Sequence, residues 1–499
     1  MNGAVAAVAP EAFETPLLAV AVPKRDRTLP APLAALDATA GGLLARLFVA
    51  GEFSGTRDEV ALVHTDGAAA SRILLVGMGR QEDVTRSSVR RAASVAARRA
   101  RSHRVGALGF AVPEEFRPGV APADLAQAAI EGAEQGAWLF DELKTAAADD
   151  DAKPPIEALT VLVAAGEGDE AARGMGIGTA VAAGQALARH LQALPPNRCT
   201  PSYLAEVAGQ LAESYGFAIS VLDRDGIEAE GMGGLAGVSQ ASGTEPRFIV
   251  VEFKGAGDAA PVALIGKGIT FDSGGVSIKP AHGMAEMKYD MSGAAAVLGA
   301  LEVMGRLKPS LNVVGVIPAA DNMPGGRALR PSDVVRSHSG KTIEVVDSDA
   351  EGRLILADAL SYARRFKPAA VLDAATLTGA AVICLGHAAS AVMGNDDALV
   401  DEVRRAGERA GERVWELPMF EEYRELNKSD VADIKNSAGR PAATISAAWF
   451  LREFVEGFPW AHIDVAGTAY TERDAAPLPK GPTGVPTRLF AEFLLGRAG

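Results

Sequence analysis

Two α/β domains are what this sequence predicts: a smaller N-terminal one, and a larger C-terminal one with a mainly parallel sheet flanked by helices. Three observations predict them. The chain has 499 residues, too many for one ordinary domain. Its composition, 48% hydrophobic against 22% charged, suffices to bury sizeable cores. Short apolar runs of strand length alternate with helical stretches through both parts, the order that gives strands joined by helical crossovers.

In the first part Leu17–Val22, Ala61–Val63, Ile73–Val76, Ala107–Phe110 and Leu159–Val163 read as strands, with helical stretches between them. The acidic, proline-containing stretch Ala146–Pro155 reads as an exposed loop before the last of these. An Ala-rich segment from about Asp169 to Leu194 suits a single helix. Pro195 and Pro196 end it, because proline lacks the N–H that a helix needs. The boundaries that follow are an N-terminal α/β domain at 1–165, a connecting helix at 166–194 and a second domain at 195–499. In that second domain Ala218–Leu222, Phe248–Phe253, Val262–Ile265, Val313–Ile317, Ile343–Val346, Val371–Ala374 and Ile463–Val465 read as strands. Met291–Arg306, Leu354–Phe366 and Ala443–Val455 read as helices. Sheets of this kind gather their chemistry just beyond the carboxyl ends of the strands.

Charge and composition narrow the partners. A net charge of -14 disfavours nucleic acid and anionic membranes, since the average field repels phosphate. Two cysteines, Cys199 and Cys384, far apart and outside any C-x-x-C pattern, argue against a disulfide framework or thiolate zinc site and for a reducing compartment. The N-terminus reads as carrying no secretory signal, because Pro10, Glu11 and Glu14 interrupt the apolar stretch. Ala374–Asn395 holds no charged residue, yet its Thr, Gly and Ser content reads as buried strand and loop, not as a spanning helix.

The densest polar clusters fall at the expected strand ends. After Ile265 comes Gly266-Lys267-Gly268-Ile269-Thr270-Phe271-Asp272-Ser273-Gly274-Gly275, where glycines open the backbone to a ligand or ion. Lys279 follows, then Lys288 and Asp290 at a helix start. Beyond the strand Ile343–Val346 lies Asp347-Ser348-Asp349-Ala350-Glu351-Gly352-Arg353. Carboxylates at alternate positions of an extended chain share one side, so Asp347, Asp349 and Glu351 are expected to converge. Their repulsion falls away if a divalent cation sits among them. The donor set is oxygen-rich and suits Mg, Mn or Zn. No H-E-x-x-H is present, and none of the seven histidines has ligand spacing here. Each cluster alone has a plainer reading: the D-x-D-x-E run as a solvated helix cap, Lys267 as a surface lysine, Asp290 as an N-cap. Three clusters at strand ends of one domain favour a metal site.

These segments, together with Met287-Lys288-Tyr289-Asp290-Met291-Ser292-Gly293-Ala294, Asn322–Ala328, Ala375-Thr376-Leu377-Thr378-Gly379-Ala380 and Trp460–Thr468, resemble the leucyl aminopeptidase (cytosol aminopeptidase) family. The resemblance covers essentially the last 300 residues and, more loosely, the N-terminal domain, for which it implies a macro-domain-like unit. It implies a cytoplasmic hydrolase that removes N-terminal amino acids from peptides with a free N-terminus. Two divalent metal ions per subunit, Mn or Zn foremost, would share carboxylates. One would be held by Lys267, Asp272, Asp290 and Glu351; the other by Asp272, Asp349 (its backbone carbonyl included) and Glu351. Lys267 would ligate as the neutral amine, against a reference pKa of about 10.4. Water activated between the ions would attack the scissile carbonyl. Lys279 matches the lysine that stabilises the oxyanion, and Arg353 the arginine that holds bicarbonate as proton shuttle. Thr376, Leu377, Thr378 and Gly379 are expected to line the substrate cleft, with Met287 in the side-chain pocket. A homohexamer with interior active sites is implied as well.

One departure stands out. The family places Asn-Thr before the Asp matched by Asp349, whereas this chain has Asp347-Ser348, which adds a carboxylate beside the pocket for the substrate's first side chain and puts leucine preference in doubt. A different function is suggested by Arg86, Arg90, Arg91, Arg98, Arg101 and Arg104, which fall within a helical arc of about 140 degrees. Such a face suits DNA, a solvated helix or a subunit contact.

Overall fold

The computed structural model describes residues 1–145, 154–474 and 477–498, so most of the expected loop Ala146–Pro155 lies outside the described residues. The chain forms two compact units, Met1–Ala182 with Glu472–Lys480, and Ala183–Thr471 with Gly481–Gly499. The division falls inside one helix, Gly168–Ala193.

The first unit is built on a six-stranded sheet: β1 (Asn2–Ala6), β2 (Leu18–Val22), β3 (Val60–His64), β4 (Arg72–Gly77), β5 (Ala107–Ala111) and β6 (Ala158–Leu162), in the order β1-β6-β5-β2-β4-β3. Every pairing is parallel except β3 with β4. All five residues of β2 are buried, which is why it reads as an unbroken apolar run. Strand β1 has no such signal. Asn-Gly-Ala-Val-Ala has weak strand preference, and pairing with β6 supplies what local preference lacks.

The arginine-rich stretch is the helix Arg86–Ser102, and most of the arginines singled out in it meet partners within the same unit. Arg86 and Arg90 are buried against Glu131 of the neighbouring helix Pro122–Ala137, with Arg90 Nε 2.7 Å from the carboxylate. Arg91 forms a bidentate pair with Asp58, Arg98 faces Asp474, and Arg101 donates to the Ala137 carbonyl. The two helices touch because a Cβ at Gly132 would lie 2.0 Å from the Arg90 carbonyl. Four of the six arginines, Arg86, Arg90, Arg91 and Arg98, thus face carboxylates of their own unit, which offsets part of their positive charge.

The second unit carries the large sheet, with β7 (Ala218–Leu222), β8 (Arg247–Lys254), β9 (Val262–Gly266), β10 (Gly268–Asp272) and β11 (Asn312–Asn322). Next in the chain come β12 (Asp333–Arg336), β13 (Thr342–Val345), β14 (Ala370–Ala375), β15 (Ser390–Gly394), β16 (Val414–Glu416), β17 (Ile434–Lys435) and β18 (Trp460–Asp464). The order is β16-β15-β18-β14-β9-β11-β8-β7, with β10 also paired to β11. Its centre, β11-β9-β14-β18, is parallel, and β8, β7 and β15 join antiparallel. One strand falls elsewhere. Ile343–Val346 was expected in this sheet, but β13 pairs with β12 and β17 in a separate three-stranded sheet. Its burial alternates, whereas β9 and β14 are buried throughout, as strands covered on both faces must be.

Helices Ser292–Leu307, Gly352–Ala363 and Ala443–Arg452 occupy the expected places, the first buried along nearly its whole length. Ala374–Asn395 divides into the end of β14, the helix Gly379–Leu385 and β15. Among the described residues no helix is long and apolar enough to cross a membrane.

Candidate metal centre

Lys267 sits in the one-residue gap between β9 and β10. Strand β9 is held on both sides, by β14 and β11, while β10 follows β11 alone through a register shift. At this break two glycines let the helix Ser292–Leu307 press onto the strand ends. A Cβ on Gly266 would lie 2.4 Å from the Gly293 carbonyl, and one on Gly293 would lie 2.0 Å from that of Ala374. The close approach brings Asp290, just before the helix, to Lys267. Lys267 Nζ lies 2.7 Å from Asp290 Oδ2 and 2.8 Å from Glu351 Oε1, and donates to the Thr376 carbonyl at 3.0 Å.

Asp272 ends β10. Its Oδ1 accepts from Gly274 N–H at 2.9 Å and Asn322 Nδ2 at 2.8 Å, while Oδ2 lies 2.7 Å from Lys279 Nζ. The same ammonium is 2.5 Å from Asp349 Oδ1. Each lysine therefore bridges two carboxylates. Carboxylate oxygens of Asp272, Asp290 and Glu351 lie within 4.8 Å of one another, and none of these residues is more than 6% exposed.

Alternation along an extended chain is not what gathers Asp347, Asp349 and Glu351. After β13 the chain turns. Asp347 Oδ1 accepts the Asp349 N–H at 3.0 Å, Ser348 Oγ donates to the Gly274 carbonyl, and Asn322 Nδ2 holds the Ser348 carbonyl. Asp349 and Glu351 consequently meet different lysines, and Asp347 braces the turn.

Burial dominates the electrostatics. It raises the carboxyl of Asp290 well above the usual range, that of Asp272 above it, and that of Asp349 to about 6 against the pull of Lys279. Glu351 feels the same burial, yet Lys267 and Lys279 hold it below the ordinary value. Burial also works against the Lys267 ammonium, but Asp290, Glu351 and Asp272 together hold its pKa up. With all ionised, the four carboxylates facing two ammonium groups would leave an excess of two negative charges, and burial resists that by raising three of them. Asp290 Oδ2, Asp349 Oδ1 and Glu351 Oε1 are buried and accept no hydrogen bond, meeting the lysines only as ion pairs. An over-negative, dehydrated, oxygen-rich donor set of this kind fits divalent cations.

A cavity of about 720 Å³ opens beside these groups. Lys267, Asp272, Lys279, Asp290, Asp349 and Arg353 line it, and Glu351 joins them through Lys267. Met287, on the 3-10 turn Met284–Tyr289, lines it too, as do Asp347, Thr376, Leu377, Thr378 and Gly379. Two hydroxyls there are already committed to the protein. Thr376 Oγ1 donates to Asp290 Oδ1 at 2.6 Å. Thr378 caps the helix Gly379–Leu385 and bonds Asp464 Oδ2 at 2.7 Å. Arg353 is buried, donates from Nη1 to the Asn436 carbonyl at 2.7 Å, and keeps a buried Nε without a partner.

Three organising residues escaped the sequence reading of roles: Asn322, which orients Asp272; Asp464, which also accepts from Leu377 N–H; and Asn436, which grips residues 346, 347 and 350. The first two lie inside the motifs quoted above, so position was their signal. Asn436 has none, since it matters through contacts about 90 residues away in sequence.

Comparison with known proteins agrees along the whole chain. The profile described as "Cytosol aminopeptidase family, catalytic domain" matches residues 186–491, and that of the family's N-terminal domain matches 19–147. A "Probable cytosol aminopeptidase" of Geotalea uraniireducens (strain Rf4) is 46% identical over 465 residues, 92% of this chain and 93% of that one. Another, from Azoarcus sp. (strain BH72), is 43% identical over 500 residues, covering 100% of this chain and 99% of the relative. Among solved structures, a mutant of tomato leucine aminopeptidase superposes with a TM-score of 0.90 at 32% identity, over 99% of this chain and 96% of that one. The bottromycin maturation enzyme BotP in complex with Mn gives 0.84 at 33% identity, over 97% and 100%.

Proposed function

Since the chain belongs to the cytosol aminopeptidase family, it is a metal-dependent exopeptidase that hydrolyses N-terminal residues from peptides, and we propose how its residues divide that work. One ion would be held by Lys267, Asp272, Asp290 and Glu351, and a second by Asp272, Glu351 and Asp349 with its backbone carbonyl. Divalent ions bound there would supply the Lewis acidity that polarises the scissile carbonyl and makes water a nucleophile at neutral pH, the two-metal chemistry for which aminopeptidases are a standing example. Manganese or zinc suits the donors, and a structural relative in complex with Mn supports manganese.

The other groups act around that centre. Burial prepares Lys267 to serve as a neutral amine once its carboxylates are engaged elsewhere. Lys279, half-sheltered at the cavity wall, keeps its proton under the influence of Asp272 and Asp349 and donates to the oxyanion as it forms. Arg353, with guanidinium donors to spare, would hold a bicarbonate ion, which would supply a proton acceptor and donor beside the centre. Met287, Asp347 and the Thr376–Gly379 backbone shape the walls against which the substrate lies.

The convergence of Asp272, Asp290 and Glu351 in one buried cluster carries this reading. Its test is release of p-nitroaniline from aminoacyl-p-nitroanilides. Exhaustive chelation is expected to abolish turnover, and Mn or Zn to restore it; turnover that survives chelation sinks the proposal. The resemblance further supports a homohexamer, and the name of the relatives a cytosolic location.

A further inference from the structure

The cavity contains a cation that the chemistry above does not use. Lys267 and Lys279 are ion-paired with carboxylates and Arg353 bonds the Asn436 carbonyl, but Arg440, also on the cavity wall, is exposed and has no carboxylate partner among the described residues. We infer that Arg440 binds a substrate carboxylate beyond the scissile bond, so that the site favours short zwitterionic peptides; this rests on the peptidase reading.

Topology places Arg440 beside the metal-ligand loop. Strands β13 and β17 run parallel, with Ile343 opposite Ile434 and Glu344 opposite Lys435. The chain leaving β13 forms the loop with Asp349 and Glu351, and the chain leaving β17 forms the loop with Arg440. Asn436 ties the two at their base: its Oδ1 accepts from Val346 N–H at 2.9 Å and its Nδ2 donates to the Asp347 carbonyl at 2.6 Å. The second loop then turns sharply through left-handed residues on either side of Arg440 and Pro441, Gly439 at φ 80° and Ala442 at φ 50°. A non-glycine residue in that region costs energy, and such strain collects where a loop must present a side chain. The chemistry is complementary. A peptide whose α-amine is fixed at the carboxylate-rich centre leads its other charged end outward along the cavity, and guanidinium is the side chain best shaped to take a carboxylate in two parallel hydrogen bonds.

The experiment compares kcat/KM for di-, tri- and tetrapeptides sharing one N-terminal residue, each as free acid and as C-terminal amide. It is run well above the terminal carboxyl pKa of about 3.5. At one length the free acid is expected to be favoured roughly 3- to 10-fold, chiefly through KM, as for a partly exposed ion pair. Arg440→Ala brings that ratio to about one, and Arg440→Lys keeps part of it. A second arm, amidated peptides with Glu or Gln beyond the scissile bond, separates an acidic side chain from the chain end as the bound group. A preference in either arm that vanishes in Arg440→Ala supports the inference. No charge preference at any length, or one untouched by Arg440→Ala, overturns it. Because the readout is a ratio, a general loss of activity in the variant cancels. Absence of metal-dependent turnover of p-nitroanilides by the unaltered enzyme would instead refute the peptidase reading.

Discussion

Asp290, Glu351 and Lys279 are close neighbours that different losses should separate. Asp290→Ala and Glu351→Ala each remove a ligand from a buried cluster, so both metal content and nearly all turnover should go. Lys279→Ala should retain bound metal, measured by elemental analysis, while kcat falls about 100- to 1000-fold, the range for loss of an oxyanion donor. Full turnover in that variant would remove the role assigned to it. Asn322 acts one step further out, through its bonds to Asp272 Oδ1 and the Ser348 carbonyl. Asn322→Ala should weaken metal binding about 10- to 100-fold in a titration with manganese, with kcat recovering at saturation. Asp358 tests burial by itself. It is fully buried, meets the N–H groups of His338 and Leu235, and burial lifts its carboxyl to about 7. A folded-state pKa raised above 3.8 means that the native protein holds a proton the unfolded chain has released. Its contribution is therefore complete below about pH 4 and is lost by up to about 1.4 kcal/mol per pH unit as pH rises towards 7. Melts of the natural protein and Asp358→Asn should show their difference moving in the variant's favour between pH 5 and 7 and levelling above; a constant difference would contradict it.

At the scale of elements, the site depends on how closely the helix Ser292–Leu307 approaches β9 and β14. Gly293 permits it, since an added Cβ would meet the backbone of Ala374 at 2.0 Å and the Lys267 nitrogen at 2.7 Å. Backbone cannot swing aside as a side-chain tip can. Gly293→Ala should therefore cost about 1–3 kcal/mol in denaturant unfolding and weaken metal binding as well, because Lys267 and Asp290 part when the helix lifts. Unchanged stability would mean that the contact is looser than drawn. Strand β9, buried on both faces, was legible as a continuous apolar run, and β14 as one interrupted only by Asp373. The placement of β13 was not, for a run as short as Ile343-Glu344-Val345-Val346 says nothing of which sheet it joins.

For the whole molecule, a net charge of -14 and arginines already paired within the first unit predict no retardation of DNA even at low salt, where attraction to phosphate is strongest. A salt-sensitive shift would reopen that question. Sedimentation should give six chain masses if the proposed hexamer is correct, and a stable monomer would exclude it.

What the sequence determined by itself was the list of chemical groups and the fold class, because ordered motifs and hydrophobic period are local properties that survive without coordinates. Tertiary structure alone decided how those groups meet. The bond from Ser348 to the Gly274 carbonyl, the reach of Lys267 to Glu351, and the grip of Asn436 on a distant loop are contacts between segments far apart in the chain. Neither spacing nor composition encodes them, since each depends on where backbone is allowed to touch backbone.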